Sequence, residues 1–302
     1  MQKNTAFLVL ALRRLAGGGV PYGVQKNTVF LVLALALLLQ ACAGAQAPHL
    51  ATPSEEQNAS ADRGAEIWQS FRERAEKGGP MDGPFRLSAG LRYTDTKGST
   101  RRAAILLWGN GMSGAPLPLR LDLQVGMGMV AAKIREDGQS TLLYIPNENT
   151  AYLQQDEQRS LTSFGVPLPF SLSDLALLLT GRWGPLFLPP DGKDAVPEHR
   201  PSAGGCRFTL RNAALPGLLE LSFDGTPLVW RGENGWTIEI PESAAGDPMR
   251  PERLRVFHAR GDSALISVRE SERVSPPYTG EQTSLILPPG TIMKSPPKTA
   301  AR

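Results

Sequence analysis

Two cysteines and three histidines are few for a chain of 302 residues, and each shortage closes off a class of chemistry. His49, His199 and His258 stand far apart, with no metal-ligand spacing among themselves or to a pair of carboxylates, so neither zinc nor another metal is expected. If Cys42 is acylated, Cys206 has no partner for an internal disulfide. In Gly204-Gly-Cys-Arg-Phe208 it reads as a small buried residue entering a strand. The longest apolar run stops short of the roughly 20 residues that a membrane-spanning helix needs. No Lys/Arg-rich patch with interleaved aromatics occurs, so nucleic acid is not an expected partner.

Fragments that look catalytic lack their companions. Gly109-Asn-Gly-Met-Ser-Gly114 has the glycine spacing of a dinucleotide loop, but Ala115-Pro-Leu-Pro118 cannot open the helix whose N-terminus would hold a pyrophosphate. A hairpin loop is the better reading. Gly261-Asp-Ser-Ala-Leu265 resembles the nucleophile block of GDSL-type hydrolases, yet no histidine follows His258 to activate Ser263. The expectation is a protein that is not an enzyme and carries no cofactor.

What is present is a charge-free apolar stretch from Val29 to Leu39, preceded by Lys26 and ending on Leu39-Gln40-Ala41-Cys42. Its length suits the h-region of an export signal. The closing tetrapeptide resembles the lipobox of bacterial lipoproteins, in which the chain is cut before a cysteine that is then acylated. That implies a cleavage motif at Leu39, Gln40 and Ala41, a lipid anchor on Cys42 and, with Ala43 rather than Asp next, the periplasmic face of the outer membrane. A coincidental cysteine after an ordinary secretory signal is the alternative. The signal start is written twice, Gln2 to Leu12 recurring almost unchanged as Gln25 to Leu35, which leaves Met1 and Val24 as candidate starts. Residues 1–41 carry four basic side chains and no acid, so their removal takes the formal net charge from +3 to −1.

Ala, Pro, Ser, Gln and Glu dominate the segment after Cys42, and residues 42–61 read as a flexible tether. Apolar Ile67, Trp68, Phe71 and Ala75 predict a first helix from about Asp62 to Lys77, stopped by Gly78-Gly-Pro80. The period then changes to two. Phe85–Tyr93, Ala103–Trp108, Leu119–Val125, Met129–Arg135, Thr141–Ile145 and Ala151–Gln154 read as an antiparallel meander. Ser171–Thr180 predicts a short helix, apolar around most of its girth and ended by Gly181, followed by a Pro-rich surface loop at 184–201. Strands resume at 207–211, 217–223, 228–232, 236–240, 253–258 and 264–270. The Pro-rich extension 275–302 holds one further candidate strand at 283–287. The sum is a mainly β (α+β) domain over 62–274, whose sheet of ten or more strands must curl.

That order resembles the LolA/LolB family of periplasmic lipoprotein carriers and outer-membrane lipoprotein receptors. The segments that match are Gly165-Val-Pro-Leu-Pro-Phe170 leading into the helix that ends at Gly181, the closing strands from Gly235-Trp236, and the Arg120–Ile134 hairpin. The resemblance implies an incomplete β-barrel with helices as a lid and an apolar cavity for lipoprotein acyl chains. Its implied partners are a LolA-like carrier and cargo lipoproteins. In the hairpin Met127 falls where the receptors show an apolar side chain to the membrane, although their loop proline is absent. The candidate cavity lining is Phe85, Leu87, Leu91, Leu119, Leu121 and Leu123 from the early strands, with Leu175, Leu178 and Leu179 from the lid helix. Each could equally fill a solid core, and Met127 could be an idle exposed side chain. A lipid- or glycolipid-binding relative and a structural envelope lipoprotein without ligand are the rival functions.

Overall fold

The structure, a computed structural model, describes residues 53–77, 83–111, 118–155, 161, 168–190 and 195–296. The signal, its cleavage motif and Cys42 lie outside the described residues, as do residues 112–117 of the glycine-rich loop.

Helix α1 spans Pro53–Glu76. It begins nine residues before the expected Asp62, so the later half of the expected tether is helical. Pro53 sits at the first helical position, where its missing N–H costs nothing. The shortage of large apolar residues there, taken as a mark of flexibility, does not prevent a helix.

The first half of the sheet is a meander: β1 (Phe85–Thr94), β2 (Thr100–Gly109), β3 (Leu119–Val125), β4 (Met129–Glu136), β5 (Thr141–Ile145) and β6 (Thr150–Gln154). After α2 (Leu172–Thr180) and the single turn α3 (Gly184–Phe187) comes a second meander. Its strands are β7 (His199–Ser202), β8 (Gly205–Leu210), β9 (Gly217–Ser222), β10 (Pro227–Gly232), β11 (Trp236–Ala244), β12 (Asp247–His258) and β13 (Ser263–Arg273). Strand β13 pairs antiparallel with β1 from Phe85–Arg273 to Thr94–Ser263, joining the halves into one sheet. With a last short strand, β14 (Ile292–Lys294), the strand order among the described residues is β14-β6-β5-β4-β3-β2-β1-β13-β12-β11-β10-β9-β8-β7. The ends β14 and β7 do not pair, so the sheet is curled but open, as expected. Register shifts at Ser88/Ala89 and along Glu239–Ala244 help it bend.

The alternating apolar face lies inside the curl. Phe85, Leu87 and Ala89 of β1 are buried, and so are Ile105 and Leu107 of β2 and Leu119, Leu121 and Leu123 of β3. Helix α1 covers β7 to β9 with Ile67, Trp68 and Phe71, the Trp68 ring lying 5.1 Å from Phe208. Cys206 is buried beside this contact, with its thiol pushed up by burial and its Sγ–H donating to the Arg200 carbonyl.

The C-terminal extension is a strap across the outer face. From the end of β13 it passes α4 (Gly280–Thr283) and ends in β14 (Ile292–Lys294), which adds to β6 in parallel. The strand expected at 283–287 is therefore displaced to 292–294. The reason is visible at Ser284: its carbonyl accepts from the Arg120 side chain rather than from a neighbouring strand. Asn110 exchanges hydrogen bonds with Tyr278 (2.8 and 2.7 Å), and Asn149 binds the Gly290 carbonyl and the Thr291 hydroxyl.

Candidate functional site

The short helix α2 lies across the inside of the sheet, against β3 on one side and β12 on the other. Its sequence explains its placement. Ser171 and Asp174 form a reciprocal capping box, and Gly181 closes the far end in the left-handed region (φ +77°). A Cβ on Gly181 would come within 2.7 Å of the Met249 carbonyl, so glycine serves both the turn and the close approach to β12. Leu172, Leu175, Ala176, Leu177, Leu178, Leu179 and Thr180 are all buried.

A buried carboxylate holds the helix entrance. Glu136, 2% exposed at the end of β4, accepts from the backbone N–H groups of Leu172 (2.8 Å) and Ser173 (3.0 Å) and from the hydroxyls of Ser173 and Thr141. Negative charge at a helix N-terminus is favourable, and four donors replace the water the carboxylate has lost. The alternating strand pattern gave no sign of this tie, because an acidic residue at a strand end ordinarily reads as solvated. At the other end the Trp183 indole donates to the Met249 carbonyl and stacks on Phe187 at 5.7 Å.

The nine residues expected to line a cavity are brought together by this arrangement. Phe85, Leu87, Leu119, Leu121, Leu123, Leu175, Leu178 and Leu179 are buried in one apolar cluster, and Leu91 packs against it half-buried. They meet between the sheet and the helix. None lines the cavities of about 660, 260 and 350 Å³ found beside the helices. The largest is bounded by Ala75, Pro185, Leu188, Pro190, Ala213 and Ala214, with Glu76 and Arg182 on its walls. It shares Pro189, Asn212 and Ala213 with the 260 Å³ cavity. The segment expected to be only a Pro-rich surface loop thus supplies α3, β7 and one wall of two cavities. Its Trp183-Gly-Pro-Leu-Phe187 run was the available signal, since two large aromatics and a leucine this close together seldom stay in water.

Met127 stands at the tip of the β3–β4 hairpin between Gly126 and Gly128, both with positive φ (58° and 88°). It is fully exposed, and Met129 beside it is partly so. The two glycines let the chain reverse over three residues, leaving the side chain between them nothing to pack on.

The remaining candidates stay apart. Ser263 opens β13 opposite Thr94 and Phe257, as a turn entering a strand. The His258 ring accepts from the Arg260 N–H and lies beside the Asn234 carbonyl, while His199 is on the edge strand β7 against Phe208. Among the described residues no cluster of His, Cys, Asp and Glu could hold a metal ion. Tyr93 is raised above its usual range, by burial first and then by its 2.8 Å hydrogen bond to Asp262, and therefore stays protonated.

No family model and no curated protein matches the sequence. Among solved structures the chain is similar to a LolA superfamily protein from Nitrosomonas europaea, at 12% identity over 70% of this chain and 94% of that one, TM-score 0.45. It is also similar to a putative outer membrane lipoprotein-sorting protein domain from Vibrio parahaemolyticus, at 11% identity over 74% and 97%, TM-score 0.47. A DUF1329 family protein from Desulfovibrio piger is similar at 10% identity over 74% and 96%, TM-score 0.49.

Proposed function

We propose that this chain is an acyl-anchored envelope lipoprotein, tethered through Cys42 to the periplasmic face of the outer membrane. It accepts the acyl chains of other lipoproteins from a LolA-like periplasmic carrier and helps insert them into that membrane. The observation that carries the reading is the apolar inner face of an open, curled sheet, covered by one short helix that is capped separately at each end. The exposed Met127 on its glycine-flanked tip is the part that meets lipid. Transfer is a partition between apolar environments and needs no bond chemistry; each methylene moved out of water contributes about 0.8 kcal/mol. The inner-face leucines pack against α2, so an acyl chain enters when α2 lifts away and the ligand replaces the contacts of Leu175, Leu178 and Leu179.

The buried apolar cluster also favours a second reading, a structural envelope lipoprotein without ligand. One experiment separates the two. The acylated protein is reconstituted in vesicles and mixed with a carrier loaded with a labelled triacylated lipoprotein. The label is expected to pass to this protein and then to the bilayer, and to stop when Leu121→Glu places a charge on the inner face. Label that stays on a competent carrier overturns the receptor reading. Lipid extracted from the purified protein in that case identifies a lipid- or glycolipid-binding relative, and its absence leaves the structural one.

A further inference from the structure

Arg92 of β1 and Arg102 of β2 stand directly opposite each other on the outer face of the sheet, and both are exposed. A third guanidinium, that of Arg269, lies over Gly90 on the same face, where a Cβ would come within 3.2 Å of it. Among the described residues none of the three has an acidic partner. Of the acids on this face, Glu239 pairs with Arg255, Glu242 with Arg253 and Glu272 with Arg86, while Glu270 meets the Ser88 hydroxyl at 3.5 Å. Like charges directly opposite on neighbouring strands destabilise a sheet, so the pair costs stability unless something anionic is shared between them.

The position of the pair indicates what that is. Arg102 stands two residues beyond Ala104, the last β2 residue paired with β3, and so reaches the level of the Gly126–Gly128 tip that carries Met127. Lys97, exposed in the β1–β2 turn, and the facing hydroxyls of Thr94 and Thr100 (3.0 Å apart) lie at the same end of the sheet. Cationic forks with an exposed apolar side chain alongside match a lipid surface, in which phosphates lie just outside an apolar layer. We propose that this rim docks on a bilayer containing anionic phospholipid, Arg92, Arg102 and Arg269 holding headgroup phosphates while Met127 enters the acyl layer. The proposal rests on the membrane-facing role given to Met127 above and adds the lipid class it requires.

The test uses the full acylated chain carrying Met127→Cys. With Cys42 acylated and Cys206 buried, that thiol takes a nitroxide probe whose depth in the bilayer is read by accessibility to paramagnetic reagents. The anchor is constant, so the readout is docking of the folded body. In vesicles of phosphatidylcholine mixed with phosphatidylglycerol the probe is expected to be buried, and in phosphatidylcholine alone to remain in water. At about 1 kcal/mol per basic residue near an anionic surface, Arg92→Ala with Arg102→Ala is expected to lower the ratio of docked to free tip roughly thirtyfold. Arg92→Lys with Arg102→Lys is expected to retain most of it, and high salt to abolish it. A probe buried equally in both vesicles and indifferent to the arginines overturns the anionic-lipid proposal while sparing the membrane role of Met127. A probe that stays in water in both overturns the two together.

Discussion

The Glu136 carboxylate accepts the backbone N–H of Leu172 at 2.8 Å, tying the end of β4 to the first turn of the helix that lies across the inside of the sheet. A charged hydrogen bond contributes about 1.5–3 kcal/mol, and the loss of a buried acceptor leaves its donors unpaired. Glu136→Ala is therefore expected to lower stability by about 3 kcal/mol, and Glu136→Gln, which keeps one acceptor, by less. Denaturant midpoints at constant slope measure both. A Glu136→Ala protein as stable as the parent would mean that α2 is held by its apolar face alone.

Leu178 is fully buried between α2 and the strands. Leu178→Ala is expected to cost about 2–5 kcal/mol, the range for a methylene-lined void that relaxes only in part. If α2 is the movable lid, the same substitution should also speed exchange of its amide protons out of proportion to those of β12. Equal acceleration in both would place α2 within the rigid body of the domain.

The strap binds through a layered contact: the Arg120 guanidinium lies 5.3 Å from the Trp108 ring, bonds to Asp122 at 3.1 Å and donates to the Ser284 carbonyl. The Trp108 indole donates to the Gln282 carbonyl at 3.1 Å. Ending the chain after Val274 exposes this layer and strips β6 of its β14 partner. An uncovered edge pairs with other chains. Lower melting and concentration-dependent light scattering are the expected outcomes, and a truncated chain that stays monomeric and equally stable would reduce the strap to a surface decoration.

Asp224, in the β9–β10 turn, is held well below the usual carboxylate range, first by the Ser222 hydroxyl and then by Arg74 (3.1 Å) and Thr226. A carboxyl depressed in the folded state contributes stability above its unfolded pKa of about 3.9 and loses it as the pH falls from there toward the folded value. Its side chain is more than half exposed, so the contribution is a small one, discounted by solvent screening. Asp224→Asn should flatten the stability profile below about pH 4 and leave the slope at neutral pH unchanged, which urea titrations at several pH values would read directly.

Much of this architecture was legible in the sequence because its signals are local. The alternation in Phe85–Tyr93 or Leu119–Val125 states which side chains share a face, and Ser171 with Asp174 and Gly181 marks a helix start and stop. The glycines around Met127 foretold its exposure. Pro53, Glu55 and Glu56 were equally local signals of a helix start, but a composition poor in large apolar residues obscured them.

The sequence by itself determined most of the strands, their faces and turns, and the apolar character of the inward-facing positions of the early strands. The tertiary structure alone decided that β13 returns to β1, that Glu136 serves α2 and that the strap lands on Arg120 and β6. It also decided that Leu121 and Leu178, distant in sequence, belong to one buried cluster. A period of two names a face and never a neighbour. Which distant segments meet depends on whether all the faces can be buried at once, a property of the whole chain that no stretch of it carries.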